Sequence, residues 1–298
     1  MIDILTFMWH DPLLQGSRGS RIPQHAGPLT VRPDLLQLEA RRRRKAIAKG
    51  TYIPPPQAPA PVAPPSAPRC FKPAHVIQLA KRVREVLPIP HRFVCITDEI
   101  PEGLTSVSHD VHWIQTPEAA LAAGDLRSPE GNRFPSCYRR LWAQSKEAAT
   151  ILSDWVMLID IDLTPIDDWS RLIRPEIPFV GWRPYRDWGK KLRIGGGIYG
   201  FKPGAQLEVW DEFIRNPRAA IAAAANAGFR GSDQAWLSYK LAHKVPIYGR
   251  GDGIYSIRDL GASHTLPKDA RLVQFNGPQK PWSYHGPADW VAKYWKGG

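Results

Sequence analysis

Cysteine is scarce: Cys70, Cys95 and Cys137 are the only three in 298 residues, far apart and with no CxxC pair. That argues against a disulfide framework and a cysteine-held zinc site, and makes a reducing cytoplasm the expected compartment. Long apolar runs are missing too, since nothing approaches the roughly 20 residues that cross a bilayer. The start, Met1-Ile2-Asp3-Ile4, carries an acid and no basic stretch, so a secretory signal is not expected. Acidic residues are few, 28 against 40 Lys and Arg, giving a formal net charge of +12. With 43% hydrophobic and 23% charged residues, wholesale disorder is excluded, and the length suffices to bury a sizeable core.

The positive charge is unevenly placed. Eleven basic and four acidic residues precede position 74, among them the run Arg41-Arg42-Arg43-Arg44-Lys45. Residues 54–68 are dominated by proline, which lacks the amide donor and fixes φ, so neither helix nor central strand is expected there. The chain therefore reads as a first strand at residues 1–9, a basic and proline-rich flexible insertion at 10–70, and a folded remainder at 71–298. Two roles for the insertion stay open. It is either a solvated arm or an electrostatic contact for a polyanion such as a phosphate backbone.

Around that arm, strand and helix signals alternate. Ile2 to Trp9 is apolar and strand-like; Pro73 to Leu87 carries a 3.6-residue stripe through Val76, Leu79, Ala80, Val83 and Leu87. Phe93 to Thr97 and Val111 to Ile114 read as strands, Ser136 to Ser153 as one helix, and Val156 to Ile159 as the most apolar strand. This order predicts an α/β protein with a mainly parallel central sheet, whose site lies at the carboxyl ends of its strands.

Directly after that last strand stands Asp160-Ile161-Asp162. In an extended segment, alternate side chains share a face, so both carboxylates are expected to point the same way. Two hard oxygen donors together suit Mg²⁺ or Mn²⁺. With Thr164 the motif is also Asp-x-Asp-x-Thr, which resembles the first motif of haloacid-dehalogenase-type phosphatases, where the acids act as nucleophile and general acid/base. Three further segments favour another owner. They are the glycine run Ile194-Gly195-Gly196-Gly197 leading into Ile198-Tyr199-Gly200-Phe201, the helix start Gly231-Ser232-Asp233-Gln234-Ala235-Trp236-Leu237, and Val273-Gln274-Phe275-Asn276-Gly277-Pro278-Gln279-Lys280-Pro281-Trp282.

In this order the set resembles glycosyltransferase family 8, the glycogenin and lipooligosaccharide galactosyltransferase group, and related phage and bacterial GT-A-type enzymes. The likeness covers roughly residues 2–9 and 71–295. It implies a single Rossmann-like GT-A domain that moves a hexose from a nucleotide diphosphate sugar, UDP-hexose favoured, to a hydroxyl acceptor with retention. It also implies a bound Mn²⁺ or Mg²⁺.

By resemblance, Asp160 contacts ribose and metal, Asp162 ligates the metal, and Lys280 reaches the diphosphate. Gly196 and Gly277 let backbone approach the donor. Thr6, Phe7, Trp9 and Asp98 border the base pocket, with Trp9 placed to stack on uracil. Asp233 and Gln234 lie near the reacting sugar carbon, although Asp233 also suits a helix cap. Of the adjacent Arg139 and Arg140, only one should face the site, and Arg140 is favoured to fork onto phosphate. Gln274 stands where the family has a histidine ligand; it offers a neutral carbonyl oxygen, and His264 and His285 are alternative substitutes. Trp182 and Trp188 are candidate sugar platforms. From the charge, the acceptor is expected to be polyanionic, either hydroxymethylated phage-type DNA or a phosphorylated envelope glycan. Two alternatives remain beside this reading: the phosphatase, and a non-enzymatic nucleic-acid-binding protein on a degenerate GT-A fold.

Overall fold

The computed structural model describes residues 1–9, 71–124, 126, 137–183, 193–229, 231–276 and 280–295. The arm at 10–70, Trp188 and Gly277 lie outside the described residues. Strand β1 (Ile2–Met8) is buried along its whole length, as its near-continuous apolar sequence requires of a strand covered on both faces. It pairs in parallel with β2 (His91–Thr97) on one side and with β5 (Val156–Ile159) on the other. The remaining strands are β3 (Val107–Ser108), β4 (Val111–Gln115), β6 (Leu163–Pro165), β7 (Phe179–Trp182), β8 (Ile198–Phe201), β9 (Ile247–Tyr248), β10 (Ile254–Ser256) and β11 (Leu272–Gln274). Eight form the central sheet in the order β3-β4-β2-β1-β5-β8-β7-β9. It is mainly parallel, with β3 and β8 running against their neighbours.

Alternate residues feed two cores. On one face Leu5, Phe7, Val94, Ile96, Val156, Leu158 and Tyr199 pack with Leu141, Trp142, Phe213 and Trp236. On the other, Ile4, Met8, Phe93, Cys95, Met157 and Ile159 meet Val76, Leu79, Ala80 and Val83 of helix α1 (Pro73–Val86). Each such aliphatic side chain contributes about 1.5–3 kcal/mol relative to exposure. At the end of the sheet where β1 begins, the fully buried Asp3 accepts Arg92 Nε at 2.8 Å and Nη2 at 2.6 Å, and Ser153 N at 2.8 Å. A buried carboxylate with so many donors ties β1, β2 and the approach to β5 together.

Two local expectations give way. The single helix over Ser136–Ser153 is instead a 3₁₀ helix at Cys137–Gln144 followed by a short α-helix at Ala148–Ile151. Ser145 separates them: its hydroxyl accepts Ala148 N at 3.0 Å, a local bond that competes with continued helix. Trp182, offered as a sugar platform, ends β7 and packs in the core at 2% exposure.

A second, three-stranded sheet decides the site. In it β11 lies between β10, to which it is parallel, and β6, to which it is antiparallel, with Gln274 opposite Leu163. Phe275 N bonds Asp162 O at 3.0 Å, so the end of β11 lies directly against the acid motif.

Candidate active site

Asp160-Ile161-Asp162 is a turn, not the extended segment expected: Leu163 N closes onto Asp160 O at 3.1 Å, linking β5 to β6. The carboxylates still converge, but through a partner rather than through strand alternation. Gln274 Nε2 donates to Asp162 Oδ1 at 2.6 Å and to Asp160 Oδ2 at 3.3 Å. The Lys280 ammonium donates to Asp162 Oδ2, and to Phe275 O at 3.3 Å.

The opposite flank of Asp160 belongs to Arg140. Its Nη1 lies 2.6 Å from Asp160 Oδ1 and 2.6 Å from Gly196 O, and its Nε is 3.6 Å from Asp233 Oδ2. Arg140 thus sits on protein carboxylates rather than on an open phosphate position. Burial disfavours its charge, but Asp160 and Asp233 outweigh that and raise its pKa. Burial in turn pushes the Asp160 carboxyl up to about 6, with Asp162 and Asp233 adding to the rise while Arg140 and Lys280 oppose it. Asp233 is also raised, chiefly by burial. Carboxylates perturbed together around one shared cation are a mark of functional sites.

Asp233 opens helix α2 (Asp233–Leu241), whose entry Gly231 takes at φ +113, a left-handed backbone that glycine alone adopts readily. Ser232 Oγ donates to Asp233 Oδ1 at 3.0 Å, so the serine orients the acid instead of capping the helix itself. Gln234 follows it, half-buried.

At the ends of β1 and β2, Arg139 Nη1 bonds both oxygens of Asp98, one at 2.6 Å, and Thr116 Oγ1 bonds Asp98 at 3.0 Å. The Arg139 and Arg140 guanidinium carbons lie 5.1 and 5.3 Å from the Trp9 ring centroid. Both arginines therefore serve this end of the sheet, through different partners. Phe7 is core, and Thr6 is wholly buried within β1 with its hydroxyl unpartnered.

Among the described residues, no three His, Cys, Asp or Glu side chains cluster as a metal site. The available donors are Asp160, Asp162 and the Gln274 amide oxygen, which is buried without a partner. That hard oxygen set fits Mg²⁺ or Mn²⁺ once the amide turns its oxygen inward. Neither histidine takes part: His264 Nδ1 is 2.6 Å from the Tyr284 hydroxyl, and His285 is exposed. Gly197 is the residue that sequence reading passed over in favour of Gly196. A Cβ there would stand 2.7 Å from Asp160 Oδ2 and 3.0 Å from Gln274 Oε1. The signal was in the glycine run, but which glycine touches the acids depends on the antiparallel pairing of β8 with β5.

Solved structures of similar shape exist. Galactosyltransferase LgtC in complex with donor and acceptor sugar analogues aligns at TM-score 0.53 and 15% identity, over 74% of this chain and 89% of that one. An active-site mutant of LgtC aligns at TM-score 0.54, with the same identity and coverage. The fold is of the GT-A glycosyltransferase type. No family model and no curated protein matches the sequence. On this fold the acid turn, the glycine run and the Asp233 helix start meet where β1, β2 and β5 end, the edge at which α/β sheets bind ligands. No helix among the described residues is long and apolar enough to cross a membrane.

Proposed function

We propose that this chain is a metal-assisted glycosyltransferase that moves a hexose from a nucleotide diphosphate sugar, with UDP as the favoured nucleotide, to a hydroxyl acceptor. The observation that carries the reading is the meeting of Asp160, Asp162, Gln274 and Lys280 on a GT-A-type fold. A divalent cation held by Asp160, Asp162 and the Gln274 oxygen supplies neutralisation of the charge that grows on a departing diphosphate.

The chain's own residues do the rest. Lys280, one bond from Asp162, is within reach of a diphosphate set on that carboxylate pair. Arg140 fixes the Asp160 carboxylate and the Gly196 carbonyl in one grip and faces Asp233, so donor and reaction sides share one anchor. Asp233 and Gln234, at a helix start beside Gly196, border the reacting sugar. Trp9, just past the end of β1 with the Arg139 and Arg140 guanidiniums near its ring, offers that ring to the base. Retention is implied by family resemblance, and a cytoplasmic setting by cysteine usage.

The acceptor proposed is polyanionic, DNA of the hydroxymethylated phage type or a phosphorylated glycan, on the strength of the Arg41–Lys45 run and the net charge of +12. The phosphatase reading has less support, because Thr164, the last residue of its motif, is fully buried and the similar solved structures are of a galactosyltransferase. The test is a thermal-shift panel of UDP, GDP and their sugars with and without Mn²⁺, followed by donor hydrolysis. Asp162→Ala is expected to abolish turnover while the fold persists; undiminished turnover would refute the assignment. DNA binding across salt, for the full chain and a 10–70 deletion, tests the acceptor: identical, salt-insensitive binding discards it.

A further inference from the structure

The acid pair is closed from within. Asp160 is held by Arg140 and the Gln274 amide, and Asp162 by the same amide and the Lys280 ammonium. Every carboxylate oxygen of the pair thus already has a donor. Gln274, 2% exposed, turns its NH₂ toward the acids and leaves Oε1 buried and unpartnered. The reverse orientation sets an amide oxygen against two carboxylates, which repels unless a cation lies between them. The side-chain orientation therefore depends on whether such a cation is present.

Resting on the donor reading above, we propose that Lys280 and Gln274 form an internal latch over the metal position, so that the divalent ion binds tightly only together with the diphosphate. A metal arriving alone must displace the Lys280 ammonium from Asp162, leaving a mostly buried cation, 14% exposed, without its partner. Uncompensated buried charge is costly. A diphosphate supplies the replacement anion: Lys280 moves to it, Asp162 is freed, and the amide reverses to present Oε1. Metal and nucleotide then strengthen each other's binding by the same factor, as linkage requires. The departure from the family histidine thereby acquires a function. Glutamine can donate its NH₂ to the empty acid pair and, with the amide reversed, present Oε1 to a cation held by that pair.

The experiment titrates the full chain with Mn²⁺, following loss of the free-ion electron paramagnetic resonance signal, with and without UDP. Wild type is expected to bind Mn²⁺ at least tenfold tighter in the presence of UDP. Lys280→Met is expected to bind Mn²⁺ alone tenfold or more tighter than wild type, with a shrunken UDP effect, and Gln274→His to tighten Mn²⁺ binding alone as well. Lys280→Gln, which keeps a hydrogen-bond donor, is the second variant should the methionine fail to fold, and the same direction is expected. If lysine-free variants bind Mn²⁺ alone no tighter than wild type, the latch is overturned. Failure of UDP to raise the melting temperature with any metal sinks the donor reading instead. The nucleotide-free comparison of Lys280 variants decides the latch in either case.

Discussion

Gly197→Ala isolates the geometry of the acid turn. A Cβ at 197 stands 2.7 Å from Asp160 Oδ2, where ordinary contact begins at 3.4 Å, so the carboxylate must retreat by about 0.7 Å. It cannot retreat freely, because Arg140 holds the other oxygen at 2.6 Å and Gln274 Oε1 lies 3.0 Å from the same methyl. Position 197 has no left-handed φ, so the backbone can keep its conformation and the strain falls on the side chains. An off-rotamer carboxylate costs about 0.5–1.5 kcal/mol, which the fold should tolerate. Its displacement matters more to chemistry, where misplacement by about 1 Å can cost ~10²-fold. The expected result is a fall of roughly that size in donor-hydrolysis kcat/KM, with weaker Mn²⁺–UDP binding and near-native thermal stability. Gly249→Ala is the control, since nothing lies within 4 Å of its added methyl. If Gly197→Ala retains turnover within threefold of the control, Asp160 does not need its observed position and the assembly of the site is wrong.

Other perturbations probe neighbouring parts. In Gly196→Ala the methyl meets Asp233 Oδ2 at 3.1 Å, a milder clash on the reaction side; we expect about a tenfold loss in kcat (~1.4 kcal/mol) with Mn²⁺ affinity retained, read by steady-state kinetics beside metal titration. Burial raises Asp160 to about 6 from 3.8. A folded-state value above the unfolded one means the protonated carboxyl stabilises the fold fully below the unfolded value. That stabilisation is lost as pH rises through about 6. Urea unfolding of wild type against Asp160→Asn from pH 4 to pH 7 should show that divergence, and a pH-independent difference would contradict the raised Asp160 carboxyl. Arg140→Met leaves Asp160 and Asp233 without their shared cation and is expected to destabilise by about 3–5 kcal/mol, measured by the same unfolding. A loss under about 1 kcal/mol would mean that the acids do not depend on it.

What the sequence made legible follows from how local each feature is. Strands β1, β2 and β5 are short apolar runs whose burial is written in their composition, β4 alternates buried Val111 and Trp113 with more exposed neighbours, and helix α1 carries its 3.6-residue stripe openly. The 3₁₀ helix at Cys137–Gln144 was not legible, since its break depends on the single hydroxyl of Ser145 outcompeting helical continuation. The acid motif shows the limit most clearly. Its chemistry is readable from three consecutive residues, whereas the convergence of its carboxylates is imposed by Gln274, 112 positions from Asp162, and by Lys280, 118 positions away. No periodicity encodes that meeting. It arises because β11 pairs antiparallel with β6 in register with Leu163, which places the strand's last side chain against the turn. The glutamine that stands where the family has a histidine ligand is therefore, in the fold, the group that joins the two acids. Its effect on metal binding follows from that bridge and from the buried oxygen behind it, more than from the intrinsic affinity of an amide.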